Sequence, residues 1–83
     1  MICYLDYDLK VLGRNLKICR EYYGYSVESI REYLQLGSVQ SIYQYEKGVS
    51  APRADTLLAL MELYQLNPKD LRNADYTGPQ AEN

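Results

Sequence analysis

Helix stop and start signals divide this chain so finely that no segment can run beyond about four helical turns. Asp8, Ser26 and Ser38 each stand just before a run of apolar residues at helical spacing, and Gly24, Gly37 and Gly48 close such runs. Asp8 caps a first helix over residues 9–22, with Leu12, Leu16, Cys19 and Tyr23 on one face and Gly24 as its stop. Ser26 caps a second, ending near residue 35, with Val27, Ile30, Tyr33 and Leu34 inward. A tight turn at Leu36-Gly37 follows. Ser38 then caps a third helix over 39–47, which turns Ile42 and Tyr45 inward and leaves Gln40, Ser41, Tyr43 and Gln44 nearer the outside. A connector over 49–52 leads to a fourth helix, from about 52–55 to 65, with Leu57, Leu60, Met61 and Tyr64 on one face. Asn67-Pro68-Lys69-Asp70 supplies a cap, a proline at the first helical position and an acid at the third, so a short fifth helix runs to about residue 73. Residues 75–83 read as a flexible tail and residues 1–8 as an N-terminal arm, leaving 9–74 as the domain. The expected fold is all-α, a compact five-helix bundle dominated by local contacts.

Composition removes most chemistries. The 83 residues contain no histidine, which excludes Ser-His-Asp and Cys-His nucleophiles, HExxH metalloproteases and Cys/His zinc fingers. None of the five glycines forms a GxG or Walker-type phosphate loop. Cys3 and Cys19 are too few for a disulfide framework or a four-cysteine metal site, and Cys19 falls on a core face, where it packs as a small hydrophobe. Asp6-Tyr7-Asp8 has the look of a DxD metal motif, but it lacks a third ligand and reads as a polar lead-in to a cap. No catalytic residue, cofactor, metal or small-molecule ligand is therefore expected. No apolar run nears the ~20 residues needed to span a bilayer, and the acidic start MICYLDYDLK is unlike a secretory signal, so a cytoplasmic protein is the expectation. Ten tyrosines, with no Phe or Trp, must supply the aromatic part of the core.

Residues 26–48 carry the functional signal: a short helix, a glycine-containing turn and a second short capped helix, the layout of a helix-turn-helix. In that motif the first helix braces across the phosphate backbone while the second lies in the major groove. The chain from about Leu12 to Leu71 resembles the Cro/C1-type (XRE) helix-turn-helix domains of phage repressors and bacterial regulators. The likeness rests on motifs in order. Leu12-Gly13-Arg14-Asn15-Leu16-Lys17 with Arg20 is similar to the family's first helix, and Gly24-Tyr25-Ser26 to its Gly-apolar-Ser/Thr lead into helix two. Ser41-Ile42-Tyr43-Gln44-Tyr45-Glu46-Lys47-Gly48 resembles its recognition helix. Pro52 with Thr56-Leu57-Leu58-Ala59-Leu60, and Leu66-Asn67-Pro68-Lys69-Asp70-Leu71, match its fourth and closing helices. Three features depart from the pattern: an extra residue between Leu34 and Ile42, Arg31 where the family has Ala, and Val27 where it often has Gln.

The resemblance implies a lambda-repressor-like bundle with a central helix-turn-helix and a structural ion pair between Arg20 and Glu46. Gln40 and Gln44, four apart on one helix face, are the expected base readers, since a glutamine amide makes a bidentate pair with adenine N6/N7. Ser41 joins them. Ser38, Tyr43, Lys47 and Arg53 are expected to meet the DNA backbone. The net charge of −2 does not oppose this. Residues 10–53 hold seven basic side chains against four acidic, and the remainder holds two against seven. The expected partner is double-stranded DNA, bound by a homodimeric repressor; the competing reading is a protein-interaction or antitoxin-like module that keeps the fold with weak or no DNA binding.

Overall fold

In the computed structural model, which describes residues 8–79, five helices follow one another: α1 (Leu9–Tyr23), α2 (Val27–Leu34), α3 (Gln40–Lys47), α4 (Ala54–Tyr64) and α5 (Pro68–Leu71). No strand occurs among the described residues. Side chains set the starts. The Asp8 carboxylate accepts the Lys10 N–H at 2.8 Å, and Ser26 Oγ accepts the Ser29 N–H at 3.0 Å. Ser38 Oγ accepts the Gln40 N–H at 2.9 Å, while Val39 already has helical dihedrals, so Ser38 is the residue that caps α3. The Asp70 carboxylate reaches back to the Asn67 N–H at 3.1 Å, tightening the first turn of α5.

α1 and α3 close on left-handed Gly24 and Gly48 as anticipated. α2 ends at Leu34, close to the expected residue 35, on Gln35 as the left-handed residue at φ 57°; Gln65 repeats the device after α4. An L-residue pays about 1–2 kcal/mol for that conformation. At α2 the turn is offset by Leu36, whose N–H donates to the Arg31 carbonyl at 3.0 Å, and by Arg31, whose Nη1 donates to the Leu36 carbonyl at 3.0 Å. Arg31 is thus a clamp on the α2–α3 turn, paired also with Glu28, which explains how it fits where a small residue would be usual.

α1 runs through the middle of the core. Leu12, Leu16 and Cys19 meet Ile30 of α2, Ile42 of α3, Leu60 and Tyr64 of α4, and then Leu66, Leu71 and Tyr76. Tyr23, Val27, Leu34, Tyr45, Leu57 and Met61 are half-buried against this cluster. Tyr33 is a correction: it is exposed, because the inward arc of α2 is taken by Val27, Ile30, Leu34 and the half-buried Arg31. The tail is a second correction. Residues 75–79 are not frayed: Tyr76 is 8% exposed and its hydroxyl lies 3.2 Å from Cys19 Sγ. A buried tyrosine ring needs a hydrogen-bond partner for its polar tip, and the Cys19 thiol supplies it. Cys19 is buried as a free thiol; Cys3 and Asp6-Tyr7, with the arm, lie outside the described residues, as do residues 80–83.

Two glycines bring α1 and α3 together. A Cβ on Gly13 would collide with the backbone carbonyls of Tyr45 and Glu46, and one on Gly48 would lie 2.7 Å from Lys10 Cα. No side chain separates the two helices there.

The buried tyrosines make the fold sensitive to alkali. Burial pushes the Tyr64 hydroxyl well above its ordinary value of 10.0, and burial together with the Cys19 contact does the same for Tyr76. Above pH 10 the unfolded chain loses protons that the folded chain keeps, so stability falls as pH rises. The slope is about 1.4 kcal/mol per pH unit for Tyr64. Melting temperature should hold steady up to about pH 10 and then drop. A late rise in tyrosinate absorbance should coincide with the loss of helical circular dichroism. Tyr64→Phe should make the decline shallower, and an unchanged slope would refute this account.

Candidate nucleic-acid interface

The outward surface of α3 is set by which of its residues the core demands. Ile42 is buried, and Tyr45 and Glu46 turn toward α1. Gln40, Tyr43, Gln44 and Lys47 are left exposed, at i, i+3, i+4 and i+7, which is one continuous stripe along the helix. Ser38 stands exposed at the amino end of this stripe; its hydroxyl accepts from Gln40 and retains its own hydrogen for donation. Ser41 is half-buried on the flank. Lys47 closes the carboxyl end, and because Gly48 rests on Lys10, that lysine stands at the same end of the surface. Arg53 stands apart, at the start of α4. Its guanidinium is 3.4 Å from Asp55, but both side chains are open to water and such a pair holds the arginine only weakly.

The stripe is braced from behind. Arg20 of α1 donates from Nε to Glu46 Oε2 at 2.7 Å and from Nη2 to Oε1 at 3.2 Å, a two-pronged pair. The side chains are only 12% and 7% exposed. A further bond from Arg20 Nη1 to the Tyr25 carbonyl, 3.1 Å, ties in the turn before α2. The hydrogen bond to Glu46, chiefly, holds the guanidinium more firmly protonated than usual, against the cost of burial. One arginine therefore joins α1, the lead into α2 and the back of α3.

A second brace was not singled out from the sequence. Asn15 is fully buried; its Nδ2 donates to the Asp70 carbonyl at 2.7 Å and the Asn73 carbonyl at 3.0 Å, and its Oδ1 accepts from Arg14 Nη1 at 2.9 Å. It caps the end of α5 from α1, and with those carbonyls held there the helix stops at Leu71, short of residue 73. A signal existed: Asn15 lies three residues after Leu12 and four before Cys19, on the inward face, where a polar residue needs fixed partners.

Among the described residues no group of three metal-ligating side chains comes together, and no helix is long and apolar enough to cross a membrane. A family model described as a helix-turn-helix domain matches residues 11–74, which takes in all five helices but the first two residues of α1. No curated protein and no solved structure matches the chain.

Proposed function

The chain belongs to the helix-turn-helix domain family, and we propose that it acts there as a sequence-specific DNA-binding transcriptional regulator of the Cro/C1 type, in the cytoplasm, with α3 laid in the major groove. The observation that carries this reading is the stripe of Gln40, Tyr43, Gln44 and Lys47, free of core duties and backed by the Arg20–Glu46 pair. Gln40 and Gln44 present amides to base edges, with Ser41 at the flank reaching a base only where the helix tilts toward it. Ser38, Tyr43, Lys47 and Arg53 meet phosphates. So few cations give weak non-specific binding, so two copies on half-sites about 34 Å apart supply the affinity.

The test is selection from a random duplex pool at low and moderate salt, with sequencing of what binds. A palindrome should emerge. Gln44→Ala should then relax preference at one position of each half-site, by about 1–3 kcal/mol. Lys47→Ala should weaken all sequences alike and reduce the salt slope by about 1. If Gln44→Ala leaves the selected sequence unchanged, α3 does not read bases as proposed.

The second reading, a protein-interaction or antitoxin-like module, is favoured by one observation: Leu58 and Tyr33, on α4 and α2, are large apolar side chains left exposed. Absence of duplex binding even at low salt would select it.

A further inference from the structure

Folding back of the tail builds a cavity that DNA reading does not use. It is open on one side and about 400 Å³ in volume, between the end of α1, the turn before α5, α5 itself and residues 73–79. That size suits a small ligand. Tyr23 and Tyr76 line it with rings, Asp70 and Asp75 with carboxylates, Asn67 and Asn73 with amides. No lysine or arginine lines it among the described residues.

The walls are held in place. Tyr76 is fixed by the Cys19 contact and by its own N–H, which donates to the Asn73 carbonyl at 3.1 Å. Tyr23 donates its hydroxyl to the Tyr64 carbonyl at 3.3 Å, and the two rings stack. Asp75 is anchored by its N–H on Asn73 Oδ1 at 3.0 Å. Asn73 is in turn gripped by Asn15 through its carbonyl, so the cavity is tied to α1.

From this lining we infer that the cavity binds a small organic cation, a primary amine or guanidinium on an aliphatic body. Its N–H groups donate to Asp70 and Asp75, and its aliphatic body packs against Tyr23 and Tyr76. An anion would meet two carboxylates and, among the described lining residues, no cation.

Agmatine, which carries a guanidinium and an amine on a short aliphatic chain, is the probe. Titrated into the isotope-labelled full chain at constant ionic strength, it should give saturable amide shifts concentrated at residues 73–78, with none along α3. Asp75→Asn should weaken binding roughly five- to ten-fold, about 1–1.4 kcal/mol. Asp55→Asn, which removes the same charge outside the cavity, should leave it unchanged. Three results would overturn the inference: no saturation by roughly 10 mM, a limit of weak binding; shifts spread over all acidic side chains; or equal effects of the two substitutions. Because the readout involves no DNA, failure here is separable from failure of α3 to bind a duplex.

Discussion

Asn15→Asp is expected to bring the domain close to unfolding at neutral pH. The wild-type amide gives two hydrogens to two buried carbonyls, those of Asp70 and Asn73. A carboxylate in its place keeps the Arg14 donor on one oxygen but turns its other oxygen and its charge toward the two carbonyls. Each orphaned acceptor costs about 1–3 kcal/mol, and the charge adds to that. A domain of this size has on the order of 5–10 kcal/mol in all. Urea unfolding followed by circular dichroism should show a loss above about 4 kcal/mol. Asn15→Ala should lose less, since it removes the donors without adding an acceptor. Protonation restores one donor, so the variant should regain stability as pH falls through the aspartate's folded-state pKa, with the gain complete near the unfolded value of about 4. A variant within about 1 kcal/mol of wild type at neutral pH would show that Asn15 does not hold α5.

Removal of one partner of the buried ion pair should have the next largest effect. Glu46→Ala leaves the largely buried Arg20 guanidinium without its counter-charge, at a cost of about 3–5 kcal/mol. Arg20→Ala strands the carboxylate and also frees the Tyr25 carbonyl. The double replacement Arg20→Met with Glu46→Leu should be milder than either single change, because no unpaired charge remains. Four unfolding curves decide the matter: if the single variants lose under about 1 kcal/mol, the pair is a spectator. The double variant also separates stability from function. It should fold, and its duplex affinity reports whether the pair sets the pose of α3.

Local chemistry made the helices legible. Asp8, Ser26 and Ser38 are caps by virtue of side-chain oxygens within two or three residues of an unpaired N–H, and that relation is written in adjacent letters. The outer stripe of α3 was likewise readable, since the spacing of Ile42 and Tyr45 fixes what is left outside. Arg20 and Glu46 are 26 positions apart, and only the family resemblance suggested joining them; periodicity places each on a face but not against the other. What escaped the sequence was non-local. Tyr76 sits among polar residues, with glycine and proline two and three positions on, and looks like loose tail until the Cys19 thiol, 57 residues away, is set beside it. Gln35 takes a left-handed conformation although a glycine better suited to it stands two positions on, because Leu36 must turn back onto Arg31.

The bare contact at Gly13 has a wider consequence. Where α3 meets α1 at Gly13, main chain rests on main chain, so this part of the helix's seating does not depend on the side chains it turns outward. On the reading proposed above, Gln40, Tyr43, Gln44 and Lys47 are interchangeable lettering on that mount. New letters on that stripe should redirect the domain to other sequences while its melting temperature barely moves.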